Sequence, residues 1–427
     1  MNRTEYSLDQ WLEWILANHP SEIDLGLARV GQVFSRMQLD LSASKIISVA
    51  GTNGKGSTTA LLESIYLAAG FSTLAYTSPH MLFYNERVRL DGVNVEDEQL
   101  VTAFKAIDLA MGEADERISL SYFEIGTLAA LYLLSVYKPC VAILEVGLGG
   151  RLDAVNIVDA DVAAITTLAI DHVDWLGDDI EQIGREKAGI ARSGRALICG
   201  ELSPPDSIAV LSDAQGFLLH QINKEFSYDV SAHGDLWDWR GLDVDGNALK
   251  YTQMSVPSLP VQNAATALQV ISLLGLKCNL SAINAGLVNA GAIGRLQSAQ
   301  YKSVSLLLDV AHNPQSATYL AETLAAKGLT GKVRLILGVL GDKDSEGVIK
   351  ALAPVVSDWH FVSLDVYRGQ TAQQLGTKLS SYTENSQSYY HDDMASALEK
   401  VNQECRDDQQ VVVAGSFVTV SQVLELL

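Results

Sequence analysis

The sequence is short of cysteine, of basic residues and of long apolar runs. Four cysteines occur in 427 residues, Cys140, Cys199, Cys278 and Cys405, and no two form a CxxC pair. That scatter excludes a disulfide framework and a structural zinc site, and fits reduced thiols in the cytoplasm. Lys plus Arg number 30 against 51 Asp plus Glu, for a net charge of −21. Neutralising a nucleic-acid backbone needs a basic face, so nucleic acid is not an expected partner. The most apolar stretch, residues 125–146, is interrupted by Lys138-Pro139 and reads as helix then strand, not as a membrane span. Residues 1–20 carry Arg3, Glu5, Asp9 and Glu13 and lack the apolar centre of a signal peptide. A soluble, cytoplasmic chain without a membrane partner is expected. What the sequence does have is 48% apolar residues over a length too great for one ordinary core, so two domains are expected.

The pattern is mostly apolar strand, glycine or polar turn, then amphipathic helix. Strands are predicted at 46–50, 73–77, 141–146, 162–167 and 196–199. Each is short and apolar without clean alternation, as in strands covered on both faces. A helix is predicted over 57–69 with Gly70 as its stop, and Ser121 with Glu124 forms a capping box that opens another helix. Residues 87–95 read as a hairpin turning at Asp91-Gly92, and 226–254 as a small β-rich patch. After Arg295 the alternation resumes, with strands at 304–309, 333–338, 360–364 and 411–414. The expected fold is α/β: an N-terminal phosphate-loop domain with a mostly parallel sheet, residues 1–293, then a Rossmann-like α/β domain, residues 294–427.

The sharpest local signal is Gly51-Thr-Asn-Gly-Lys-Gly-Ser57, between an apolar strand and a helix. Glycines let backbone N–H groups converge on a phosphate, the helix N-terminus adds partial positive charge, and Lys55 adds a full one. The spacing is not the strict GxxxxGK[ST] form, because Gly51 and Gly54 are three apart and Gly56 separates Lys55 from Ser57. Further polar residues follow other strands: Ser78 after the second, Glu145 at the end of 141–146, and His172 beyond 162–167. In an open α/β sheet these ends face one crevice, and a hard cation on nucleotide phosphates needs few protein carboxylates. Taken singly, Glu145 reads as a solvated strand-end glutamate, His172 as a structural histidine and Lys187 as a solvated helix lysine.

Together these motifs resemble the folylpolyglutamate synthase family, in its bacterial form with combined dihydrofolate synthase activity, within the wider ATP-dependent Mur ligase superfamily. The carriers are the phosphate loop, Ile23-Asp-Leu-Gly-Leu-Ala-Arg-Val30, Tyr76-Thr-Ser-Pro-His80, Asn85-Glu-Arg-Val-Arg89, Leu144-Glu-Val-Gly-Leu-Gly-Gly-Arg-Leu-Asp-Ala154, Asp171-His172 and Gly184-Arg-Glu-Lys-Ala-Gly189. Further along come Asn263-Ala-Ala-Thr-Ala-Leu268, Gly294-Arg295, Asp309-Val-Ala-His-Asn-Pro314 and Gly415-Ser-Phe417. Ile293 departs from the pattern, since the family often has proline before that Gly-Arg pair.

The resemblance implies roles. Thr52, Asn53, Gly54, Lys55, Gly56 and Ser57 would hold ATP phosphates, and Asn263, Arg295 and Asp309 would contact the nucleotide. Ser57, Ser78, Glu145, His172 and Lys187 would serve Mg²⁺, with a second divalent or monovalent cation as a further expectation and Lys187 at the family's carbamylated position. Ile23, Asp24, Leu25, Phe123, Arg151 and Asp153 would line the pterin site. His312 and Ser416 would bind glutamate. Lys55, Lys187 and His312 are the expected catalytic groups. The implied reaction joins L-glutamate to dihydropteroate, or to the glutamate tail of reduced folates, through an acyl phosphate made from ATP. The expected partners are these small molecules, and a monomer is expected. The alternatives are a monofunctional folylpolyglutamate synthase, a cell-wall Mur-type ligase, a phosphate-loop kinase and a nucleotide-switch binding module. For single residues the bland alternatives are a helix cap for Asn263, a surface linker charge for Arg295, and solvated loop carboxylates for Asp153 and Asp309.

Overall fold

The computed structural model describes residues 3–19, 24–379, 387–404, 406 and 408–427. The chain divides into two compact units, residues 1–291 and 292–427. In the first, strands β1 (Lys45–Ala50), β2 (Thr73–Tyr76), β3 (Val88–Leu90), β4 (Val93–Asn94), β5 (Val141–Glu145), β6 (Val162–Ile165), β7 (Ala196–Cys199) and β8 (Leu218–Gln221) form one sheet. Its order is β4-β3-β2-β5-β1-β6-β7-β8, with only β3 and β4 antiparallel to their neighbours. The apolar strands lack alternation because both faces are covered. Ile46, Ala50, Ala142, Leu144, Ala163 and Ile165 enter one core cluster with Val33, Phe104 and Leu128 from the helices Ala28–Met37, Asp97–Met111 and Tyr122–Tyr137. The intervening Ile47, Val49, Ile143 and Ala164 are equally buried, as the two-residue period of a strand requires. The hairpin turns where expected: Asp91 (φ +49°) and Gly92 (φ +80°) both adopt the left-handed conformation of a two-residue turn.

A second, three-stranded antiparallel sheet, β9 (Ser227–Val230), β10 (Leu236–Leu242) and β11 (Ala248–Ser255), accounts for the aromatic-rich segment. Trp239 buries its ring there, stacks on Tyr251 and donates its indole N–H to the Ala265 carbonyl at 3.1 Å.

The second unit holds a six-stranded sheet of β12 (Gln297–Tyr301), β13 (Val304–Leu308), β14 (Val333–Leu337), β15 (Val356–Val362), β16 (Gln387–His391) and β17 (Gln410–Ala414). Its order is β12-β13-β17-β14-β15-β16, parallel except for β12. Leu335, Leu337, Trp359, Phe361, Val412 and Ala414 meet helices Pro314–Ala326, Ser345–Leu352 and Ala372–Leu379 in its core.

Three strands, β8, β12 and β16, were not expected from the sequence, and all three are edges of their sheets. An edge strand is half solvated, so Gln297-Ser-Ala-Gln-Tyr301 and Gln387-Ser-Tyr-Tyr-His391 never present an apolar run. β15 starts four residues earlier than the predicted 360, because Ser357 and Asp358 conceal its first half. Among the described residues no helix is long and apolar enough to cross a membrane.

Candidate active site

The parallel strands of the first unit end on one edge, and β1 lies centrally between β5 and β6. That is where a doubly wound sheet switches direction and opens a crevice. The turn after β1 occupies it. Gly54 (φ +87°) caps a helix that runs Lys55–Ala68, so it begins two residues before the expected Ser57. A methyl group on Gly51 (φ +150°) would stand 1.9 Å from Thr166 Oγ1. That hydroxyl donates to the Asn53 carbonyl at 2.6 Å, and Thr167 Oγ1 donates to the same oxygen at 3.0 Å. The Thr52 N–H donates to the Thr167 carbonyl at 2.7 Å, and the Ala169 N–H donates to Thr52 Oγ1 at 3.1 Å. The glycine turn is therefore stitched to the chain leaving β6. Lys55 Nζ folds back over it, donating to the carbonyls of Gly51 (3.1 Å) and Thr52 (3.4 Å). Ser57 is buried in the first turn of the helix. Asn263 is buried on helix Val261–Leu274, and a methyl on Gly54 would lie 2.8 Å from its amide. It packs against the turn, and the reading as a helix cap does not hold.

Lys187 corrects a second bland expectation. It is 3% exposed on helix Ile180–Ala188, and its Nζ donates to the Gly51 carbonyl at 3.0 Å. Burial, reinforced by the charge of Lys55, lowers its pKa to about 7. Two glycines let this helix pack tightly against residues 150–151. Methyls on Gly150 and Gly189 would lie 2.9 Å from the Glu186 carbonyl and 2.5 Å from Arg151 Cβ. Asn156 closes the join by donating its amide to the carbonyls of Arg151 (3.0 Å) and Gly189 (3.1 Å).

Glu145 ends β5 opposite Val49 of β1 and is 4% exposed, not solvated. Its Oε2 lies 3.7 Å from where a methyl on Gly56 would stand. Ser78 follows β2 at a cis bond to Pro79, and His172 (φ +53°) caps the short helix Val173–Leu176. Among the described residues no three His, Cys, Asp or Glu side chains cluster in a metal-holding group.

Beside the turn, the ring of Phe123 covers Gly147, where a methyl would lie 2.6 Å from it. Helix Tyr122–Tyr137 is fixed there by its capping box: Ser121 Oγ accepts from the Glu124 N–H, and Glu124 Oε2 accepts from the Ser121 N–H at 2.7 Å. Asp24 accepts an ion pair from Arg29 at 2.7 Å. The Gly26 N–H donates to the Leu152 carbonyl at 3.1 Å and brings Asp24 and Leu25 alongside. Ile23 lies outside the described residues. Arg151 pairs with Glu186 at 2.8 Å with its side chain largely in solvent. Asp153 is not a solvated loop carboxylate: it is buried and accepts the N–H groups of Leu148 (2.9 Å) and Val155 (3.0 Å). Burial raises its pKa to about 6.

In the second unit, Arg295, Asp309, His312 and Ser416 gather at the carboxyl ends of β13 and β17. Asp309 accepts from the N–H groups of Leu296 (3.0 Å) and Ala311 (2.9 Å), and burial raises its pKa against the opposing charge of Arg295. The Arg295 guanidinium lies 5.2 Å from the Phe417 ring centroid, and the His312 ring 6.3 Å from it. Arg295 is thus a cation–π partner and not a free linker charge. His312 Nδ1 is 2.8 Å from the Val310 carbonyl. A carbonyl only accepts, so the neutral ring carries its proton on Nδ1 and its lone pair on Nε2. Ser416 caps helix Phe417–Leu424, accepting from the Thr419 N–H at 3.0 Å.

Comparison with known proteins fits this geometry. Residues 49–200 match the Mur ligase middle domain, and residues 294–417 match the Mur ligase, glutamate ligase domain. The dihydrofolate synthase/folylpolyglutamate synthase of Escherichia coli K12 is 42% identical over 420 residues, covering 98% of this chain and 95% of that protein. The chain belongs to the dihydrofolate synthase/folylpolyglutamate synthase family. Among solved structures, E. coli FolC in complex with DHPP and ADP superposes with a TM-score of 0.91 at 41% identity, covering 100% of this chain and 99% of that one. The bifunctional folylpolyglutamate synthase/dihydrofolate synthase of Yersinia pestis, complexed with AMPPNP and Mn ion, gives 0.89 at 41% identity, covering 100% and 99%.

In this member of the family, sequence reasoning missed Thr166 and Thr167, which fix the glycine turn through the Asn53 carbonyl, and Phe417, around which Arg295 and His312 collect. A signal for the threonines was present. Thr-Thr directly follows the apolar run 162–165, and a hydroxyl pair at the end of the strand beside a phosphate turn has backbone carbonyls within reach.

Proposed function

We propose that this chain is an ATP-dependent ligase that joins L-glutamate to dihydropteroate and to the glutamate tail of reduced folates. The observation that carries this reading is the convergence of Lys55, Lys187 and Glu145 on one glycine turn from three separate elements. A Mur-type cell-wall substrate is disfavoured by the full-length match to folate enzymes.

In this reading Thr52, Asn53, Gly54, Lys55, Gly56 and Ser57 bind the ATP phosphates, with Asn263 bracing Gly54. Lys55 neutralises charge on the transferred γ-phosphoryl group, and the fixed turn supplies positioning. The donor set around the turn fits a hard divalent cation: a buried carboxylate at Glu145, a buried hydroxyl at Ser57, and Ser78 and His172 on adjoining strand ends. Mg²⁺ bound there would neutralise phosphate charge. Lys187 fits carbamylation, because an amine held to about 7 is partly neutral and adds CO₂. The product nitrogen keeps one N–H for the Gly51 carbonyl and gains an anionic oxygen donor. Any second cation, divalent or monovalent, would share these oxygens.

Transfer of the γ-phosphoryl group to a substrate carboxylate oxygen releases ADP and leaves an acyl phosphate. The neutral α-amine of glutamate adds to the carbonyl carbon, and phosphate departs with that carboxylate oxygen. Ser416 and His312 hold the glutamate, and His312 Nε2 takes the proton that the amine sheds. Arg295 and Asp309 contact nucleotide. Asp24, Leu25, Phe123 and Arg151 receive the pterin, with Phe123 stacking on it and Asp153 fixing the loop. Residues 1–293 are then the ATP and pterin domain and residues 294–427 the glutamate domain, in a cytoplasmic monomer.

Purified protein with ATP, Mg²⁺ and glutamate, with dihydropteroate or tetrahydrofolate varied and products weighed, tests the reading. Carboxylate oxygen-18 must appear in the released phosphate. ADP release without an amide product would instead favour a kinase.

A further inference from the structure

We infer that Arg29 is a positioning residue for pterin binding, joining the two chain segments that flank the substrate. The inference rests on the pterin site proposed above. Arg29 lies on helix Ala28–Met37 and reaches two elements at once. Its Nη1 pairs with Asp24 Oδ2 at 2.7 Å, and its Nη2 donates to the Asp24 carbonyl at 3.2 Å. The same Nη2 reaches Glu124 Oε1 at 3.1 Å.

Glu124 is buried and spends its other oxygen on the Ser121 N–H, at the start of the helix that carries Phe123. The guanidinium thus spans from the segment holding Asp24 and Leu25 to the first turn holding Phe123. Gly26, whose N–H binds the Leu152 carbonyl, ties the same segment to the loop of Asp153. His19 Nε2 approaches the same Asp24 Oδ2 at 3.4 Å, a further contact on that carboxylate. Only a planar fork meets a carboxylate, a carbonyl and a second carboxylate together, and a lysine ammonium cannot reproduce that span. Small displacements of a binding wall cost affinity steeply, so the effect belongs in substrate binding and not in phosphoryl transfer.

The test measures KM and kcat for dihydropteroate, and KM for ATP, in wild type, Arg29→Met, Arg29→Lys and Phe123→Ala. Arg29→Met is expected to raise the dihydropteroate KM about tenfold, with kcat changed less than about threefold and the ATP KM unmoved. Arg29→Lys should fall between it and wild type. If Arg29→Met does not fold, Arg29→Lys and Arg29→Gln carry the same comparison. Equal changes in both KM values, or none, overturn the inference. A normal dihydropteroate KM in Phe123→Ala overturns the pterin site itself. A raised KM there beside normal values at Arg29 overturns only the role of Arg29.

Discussion

Lys187 Nζ donates to the carbonyl oxygen of Gly51 at 3.0 Å, which places a buried amine against the glycine turn. A hydrocarbon there would leave that carbonyl without this donor and supply no anionic oxygen. Lys187→Met is expected to lose turnover by about 10²-fold or more while its far-ultraviolet circular dichroism stays native. Intact-mass measurement of the wild type under CO₂ should show one added CO₂, absent from the variant. Full activity in Lys187→Met would remove this side chain from the mechanism.

Lys55→Ala removes the cation that folds over Gly51 and Thr52. Glutamate-dependent ADP release should fall by about 10²–10³-fold, the usual cost of losing a charge aimed at a transition state. The assay is coupled ADP detection, with thermal melting to confirm folding.

Glu145→Gln keeps the size of the side chain and removes its charge. The Mg²⁺ concentration for half-maximal rate should rise about tenfold or more. A magnesium titration identical to the wild type would exclude Glu145 from the metal site.

Asp153 gives a pH signature. Its folded pKa of about 6 lies above the ordinary 3.8, so the folded state holds a proton that the unfolded chain has already lost. That contribution is complete below about pH 4 and disappears as pH rises through about 6. Urea unfolding of wild type and Asp153→Asn should therefore differ with pH. The wild type should lose about 1–3 kcal/mol relative to the variant between pH 4 and 7, with a flat difference above.

Gly51→Ala must displace Thr166, since the added methyl would sit 1.9 Å from its hydroxyl. A loss of about 2 kcal/mol or more in stability is expected, with weakened ATP binding by calorimetry. Adding Thr166→Ala should recover part of the stability and none of the ATP affinity, because Asn53 would still lack that hydroxyl.

Much of the fold was legible because both faces of each inner strand are buried. β7 matches its predicted bounds, and β1, β2 and β5 differ by one residue at an end. The same physics hid β8, β12 and β16, whose solvated edges dilute the apolar signal. At the site, residue types and strand-end positions pointed to Lys55 and Glu145. The sequence could not show that Lys187 is buried, because that depends on Gly150 and Gly189 letting two distant segments touch. Nor could it show that Asp153 faces backbone N–H groups and not water.

Helix Lys55–Ala68 is roofed by much later parts of the chain. Gly286 lies so close to Ile65 that an added methyl would stand 2.4 Å from its Cα, and Ser64 Oγ donates to the Gly286 carbonyl at 2.8 Å. During synthesis this early helix therefore waits, partly bare, until more than two hundred further residues have left the ribosome. Nascent chains arrested before helix Leu280–Asn289 has emerged should retain ribosome-associated chaperones and succumb to protease, and those arrested well after it should resist.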